Sequence, residues 1–145
     1  MKNLETSITI AAPIQTVWNI LTSFEEYPSW NPFITKIEGE LKMGGQLSNT
    51  LMINGKPNYF QPNIITLEEG RKFEWLGSGP LGMFNGQHYF ELEDLGNNQT
   101  KLIHGEHFSG WLRWLIMLMI GKETKRGFEA MNAALKARAE AMTQA

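Results

Sequence analysis

Between Phe33 and Phe108 turn residues recur at short intervals, and a single long helical stretch follows them with no helix of similar length to pack against. Few folds accommodate that order. Gly44-Gly45, Asn54-Gly55, Gly70 and Gly96-Asn97-Asn98 bound segments near 33–42, 46–53, 58–68, 71–77, 84–94 and 99–109 that read as strands of an antiparallel meander. Upstream, Leu4, Thr6, Ile8 and Ile10 alternate with Glu5, Ser7 and Thr9, which adds a seventh strand with one buried face. Pro13 then opens a short helix carrying Ile14, Val17, Trp18 and Leu21 at helical spacing and ending near Phe24. Tyr27, Pro28, Trp30 and Pro32 predict a compact turn or one-turn helix. Because proline cannot donate to a ladder, Pro57 and Pro62 predict a bulge or an irregular start in the strand near 58–68. The Gly-rich stretch 77–83 is too long for a tight hairpin and reads as a mobile loop.

The expected class is α+β: a seven-stranded curved antiparallel sheet wrapped around a long C-terminal helix, with two short helices between strands one and two. All of it fits one domain over residues 1–145. Strands twist, so a meander of this size coils and presents a concave apolar face. The helix expected from Trp111 to about Met142 is roughly 45 Å long and is the element able to cover that face. Thr124, Phe128, Met131 and Leu135 step along one side of it, with Gly127 in the same stripe. A straight helix fits a strongly curved sheet poorly, so the leftover volume is either filled by large side chains or kept as a cavity. Gly127 accordingly marks either close helix-to-sheet packing or space held open for a ligand.

Composition excludes some partners and chemistries. Net charge is −2 with both signs interspersed, so there is no basic footprint for nucleic acid. The absence of cysteine excludes a disulfide framework, a thiolate nucleophile and a Cys-rich zinc site. Met1-Lys2-Asn3-Leu4-Glu5 lacks the apolar stretch of a secretory signal, which makes cytoplasmic residence the expectation. The run from Trp111 to Ile120 is apolar all round a helix apart from Arg113, yet reaches only about half the roughly 20 residues of a membrane-spanning helix. Its possible roles are a pocket gate, a homodimer surface, a patch for transient membrane contact, or an approach to the main helix that is buried on both sides.

The order of elements, with Ile10-Ala11-Ala12-Pro13 leading into Val17-Trp18, resembles the START-like helix-grip (SRPBCC) superfamily. Two further stretches are similar to its polyketide cyclase/dehydrase and lipid-transport group: Tyr27-Pro28-Ser29-Trp30-Asn31-Pro32-Phe33-Ile34 and Arg126-Gly127-Phe128-Glu129-Ala130-Met131-Asn132-Ala133-Ala134-Leu135-Lys136. The resemblance covers essentially the whole chain and implies a cavity between sheet and long helix. It carries no catalytic motif, because the group includes hydrophobic-ligand carriers as well as cyclases.

Candidate site residues come from strand alternation. Trp75 and Phe73 share an inward face; Phe84, Gly86, His88, Phe90 and Leu92 share another; Leu102, His104, Glu106 and Phe108 share the next. If Leu92 lies opposite Thr100 or Leu102, His88 falls opposite His104 or Glu106. Buried polar groups must bond one another or a ligand, so His88, His104 and Glu106 are the candidate acid/base residues. The expected ligand wall is Trp75, His88, Phe90, Leu102, His104, Glu106 and Phe108 from the sheet, with Thr124, Gly127, Phe128 and Met131 from the helix. Two histidines and a carboxylate also suit a metal, but two adjacent strands impose no ligand spacing that argues for one. No dinucleotide fingerprint, phosphate loop, His-Glu-x-x-His or Gly-x-Ser-x-Gly motif occurs, and no cofactor is expected. The expected function is binding of a hydrophobic small molecule: a lipid, polyketide, isoprenoid or aromatic metabolite. The alternative is a cyclase or dehydratase using inward His and Glu as general acid and base.

Overall fold

The computed structural model describes residues 2–144. Strand β1 (Lys2–Ile10) is followed by helix α1 (Ile14–Thr22), a 3-10 turn at Phe24–Glu26 and the short helix α2 (Tyr27–Trp30). Strands β2 (Ile34–Glu38), β3 (Ser48–Ile53), β4 (Lys56–Phe60), β5 (Asn63–Glu68), β6 (Lys72–Ser78), β7 (Asn85–Gly96) and β8 (Gln99–Ser109) precede the long helix α3 (Arg113–Gln144). Asn97 and Asn98, at φ 53° and 56°, make the mirror-image turn that matches strand twist between β7 and β8. Asn54 and Gly55, at φ 55° and 72°, do the same between β3 and β4.

Eight strands are present among the described residues where the sequence predicts seven. They form a five-stranded sheet in the order β1-β8-β7-β6-β5 and a three-stranded sheet in the order β2-β3-β4. The difference arises at Pro62, which divides the segment expected as one strand near 58–68. Pro62 has no N–H for a ladder, while its carbonyl accepts from the Leu47 N–H at 2.9 Å. Beside it Gln46 bridges to Asn63, and the chain passes from the smaller sheet into the larger one.

Helix α3 lies against β1, β8 and β3. Its buried stripe contains the expected Thr124, Phe128, Met131 and Leu135, joined by Gly121, Asn132 and Ala139. Gly127 is half-buried, and a Cβ placed there would come within 2.2 Å of the Phe33 ring. The glycine serves close packing of helix against Phe33 and does not hold ligand space open.

The apolar run at the start of α3 is not buried on both sides, which removes one of its expected roles. Trp111, Trp114, Leu118 and Met119 are exposed, as is Leu81 in the loop alongside. That loop is tied to the helix start by Leu112 N–H donating to the Met83 carbonyl at 2.8 Å. Among the described residues no helix is long and apolar enough to cross a membrane.

Candidate functional site

The two sheets and α3 converge on a cavity of about 140 Å³. An apolar cavity of about this size is enough for one aromatic ring. Trp75 reaches it from β6, Gly86 and His88 from β7, Glu106 and Phe108 from β8, Asn49, Leu51 and Ile53 from β3, and Ile120 and Thr124 from α3. Outside lies a wider, mostly polar groove of about 1090 Å³. Asn49, Phe60, Gly77 and Ser78 line both, so the groove meets the inner cavity at the gap between the sheets.

The register of the β7-β8 hairpin decides the site. Leu92 stands opposite Leu102 and His88 opposite Glu106, which is one of the two predicted pairings. His88 also faces Trp75 across β6, with their rings 5.0 Å apart. Gly86 is the neighbour that leaves room for the acid, since a Cβ there would lie 2.0 Å from the Glu106 Oε2.

Five polar groups form a chain from the core to the cavity wall, and its direction follows from one carbonyl. The Thr6 hydroxyl donates to the His104 backbone oxygen at 2.9 Å, so its oxygen is left to accept from Asn132 Nδ2 at 2.8 Å. The Asn132 Oδ1 therefore faces His104 Nδ1 at 2.8 Å and, being an acceptor, places the His104 proton on Nδ1. Burial first, and the nearby His88 second, hold the His104 pKa well below its ordinary value against the opposing pull of the Asn132 bond. A neutral His104 has no second proton, so His88 donates its Nε2–H to His104 Nε2 across 2.7 Å. His88 Nδ1 then stands 3.3 Å from Glu106 Oε1. The chain thus ends at the cavity wall in a His88–Glu106 pair, backed by hydrogen bonds whose direction the His104 carbonyl fixes.

Of the residues expected to line a pocket, Trp75, His88, Glu106, Phe108 and Thr124 do so. Phe90, Leu102, His104, Phe128 and Met131 are instead fully buried in packed core behind the cavity, and Gly127 packs on Phe33. The His104 ring stacks on Phe128 at 4.1 Å, which fills the volume that the sequence leaves open. Asn31, in the Trp30-Asn31-Pro32 turn, spends its Oδ1 on the N–H groups of Phe33 and Ile34, both at 2.9 Å, and so closes that end of the core.

Sequence reasoning missed the β3 wall of Leu51 and Ile53, Ile120 of α3 and, among them, the buried amide of Asn49. Asn49 alternates with Leu51 and Ile53 on the inward face of β3 and is 2% exposed. Neither its Oδ1 nor its Nδ2 has a hydrogen-bonding partner among the described residues. The signal available was a lone amide in an otherwise apolar alternation.

The fold matches known structures along nearly its whole length. An aromatase/cyclase, Zhui, from Streptomyces sp. R1128 superposes with a TM-score of 0.77 at 18% identity, covering 96% of this chain and 93% of that one. A START superfamily protein from Mycobacterium smegmatis gives 0.74 at 22% identity, covering 97% and 99%. A norcoclaurine synthase from Thalictrum flavum gives 0.72 at 14% identity, covering 97% and 95%. At these identities the likeness is one of fold. No curated protein sequence matches the chain significantly. The family model described as polyketide cyclase / dehydrase and lipid transport matches residues 1–140, and the chain belongs to that family.

Proposed function

We propose that the protein binds a small, largely apolar molecule, of about the size of a single aromatic ring, in the cavity between the sheets and α3. The observation that carries this reading is the cavity itself: about 140 Å³, walled by Leu51, Ile53, Trp75, Phe108 and Ile120, with the Glu106–His88 pair as its acid/base pole. Its volume favours the aromatic metabolites among the expected ligands over extended lipids. Phenol, an apolar ring with one hydroxyl, is expected to bind saturably in calorimetry with a negative heat-capacity change. Replacing Ile120 with Trp is expected to fill the cavity and abolish that binding. Native mass spectrometry of freshly purified protein supplies the second measurement, a co-purified apolar molecule. Absence of saturable phenol binding together with an empty mass spectrum would overturn the proposal.

A second reading, proton transfer on a bound carbonyl compound as in a cyclase or dehydratase, is favoured by the fixed direction of the hydrogen-bond chain. One proton then moves between substrate and the Glu106–His88 pair without disturbing His104 or Asn132. Nitrobenzisoxazole is a suitable probe, because its ring opens once a base removes a proton. Wild-type protein is expected to open it faster than buffer does. Gly86→Ala, which pushes the flexible Glu106 carboxylate aside, and Glu106→Gln are each expected to lower the rate about 100-fold. The melting temperature of Gly86→Ala is expected to stay within about 3 °C of wild type, because only the free end of one side chain must move. Equal rates in wild type and both variants would leave binding as the function.

A further inference from the structure

We infer that Asn49 is the recognition residue for a neutral polar edge of the ligand, one that presents a hydrogen-bond donor and an acceptor side by side. This rests on the binding function proposed above and specifies the ligand's chemistry. Asn49 is nearly fully buried, stands on the inward face of β3 with Leu51 and Ile53, and lines the cavity. Both ends of its amide lack a partner among the described residues. A buried amide left unbonded is costly, and its neighbours on that face of β3 are apolar and offer it nothing. Asn31 differs in that its Oδ1 accepts two backbone N–H bonds and closes a turn, so that only its Nδ2 lacks a partner among the described residues, whereas Asn49 lacks one at both ends.

The chemistry of an amide narrows what satisfies it. Oδ1 accepts and Nδ2 donates, and the two lie adjacent in one plane. A primary amide, a lactam, a protonated carboxylic acid or a hydroxyl beside a carbonyl offers the matching pair. An ionised carboxylate offers acceptors only and leaves Oδ1 unbonded, and it shares the cavity with the Glu106 carboxyl. Asn49 comes from the smaller sheet while Glu106 and His88 come from the larger one. The ligand is thus held between two polar poles across apolar walls, and its class is a small aromatic or unsaturated ring carrying a neutral amide-like or hydroxy-carbonyl edge.

Three ring-sized probes separate this from a featureless apolar pocket: toluene, benzamide and benzoate at neutral pH. In calorimetric titrations of the wild-type protein, benzamide is expected to bind about tenfold tighter than toluene, with benzoate weakest. Asn49→Leu keeps similar bulk and removes the amide. It is expected to erase the preference for benzamide over toluene and to raise the melting temperature of the free protein. Toluene binding by itself tests the cavity, whereas the benzamide-to-toluene ratio tests Asn49. If toluene binds at least as tightly as benzamide to the wild-type protein, the inference fails while the proposed function stands. A benzamide preference that survives Asn49→Leu also overturns it, and if none of the probes binds, the inference falls while phenol binding and native mass spectrometry decide the proposed function. Should Asn49→Leu fail to fold, the wild-type ordering of the three probes decides alone.

Discussion

Replacing Phe128 with alanine is expected to cost about 3–5 kcal/mol of folding stability, a large share of what a domain of this size holds. The Phe128 ring is fully buried on α3 and meets three others at once. It packs edge-on to Phe33 at 5.5 Å, stacks on His104 at 4.1 Å and lies 5.0 Å from His88. Truncation removes the transfer free energy of a large side chain and leaves a void that neighbours held in rigid strands cannot close. It also strips the apolar cover from the two histidines at the centre of the hydrogen-bond chain. Met131→Leu on the same stripe conserves volume and is expected to cost less than about 1.5 kcal/mol. Urea denaturation at neutral pH checks both, with the slope unchanged and the midpoint lowered. A loss below about 1 kcal/mol for Phe128→Ala would mean that this ring is not the keystone between helix and sheet.

The sheet faces and their register were legible because alternation is a two-residue period that a handful of apolar side chains can mark. His88, His104 and Glu106 stand out for the same reason, as polar residues on faces otherwise made of Phe90, Leu92, Leu102 and Phe108. Once Leu92 is taken opposite Leu102, the pairing of His88 with Glu106 follows from geometry alone. Depth within the molecule is another matter. Periodicity tells which face of α3 turns inward, but whether the space beneath it is filled depends on residues from distant strands. Here Phe33, Phe90 and Phe128 fill the stretch under Gly127 and Met131, and the cavity is displaced toward Ile120 and Thr124.

Asn49 and the second sheet escaped for related reasons. The division at Pro62 depends on the Leu47 N–H, fifteen residues upstream, finding the Pro62 carbonyl, and no local pattern encodes that partner. Without the division, the strand near 46–53 has no assigned inward face, and Asn49 reads as one more polar residue beside a turn. Asn132 was missed in the same way. It sits in the polar-looking stretch Glu129-Ala130-Met131-Asn132, and its role appears only when Thr6 and His104 meet it from β1 and β8.

The buried chain makes stability depend on pH in a direction that can be worked out. The folded-state pKa of His104 is held well below its ordinary value of 6.5, chiefly by burial and then by the adjacent His88. Above about pH 6.5 the imidazole is neutral in both folded and unfolded states, so it contributes no pH dependence there. As pH falls below about 6.5 the unfolded chain takes up a proton that the folded chain refuses. The unfolded state then binds more protons, and stability is lost as pH falls at up to about 1.4 kcal/mol per unit. The loss from this one group is expected to set in within the window between pH 7.5 and 5.5. That window lies above the carboxylates with lowered pKa, Glu74 and Glu140, whose contributions are lost only below about pH 4.5, their ordinary value. His104→Gln preserves a group able to bond Asn132 and His88 but cannot titrate. Urea unfolding at pH 7.5, 6.5 and 5.5 is expected to show stability falling less steeply with pH in His104→Gln than in wild type, whatever the variant's absolute stability. Parallel curves for the two proteins would show that His104 accepts a proton in the folded state, and the one-directional chain to Glu106 would then lose its fixed end.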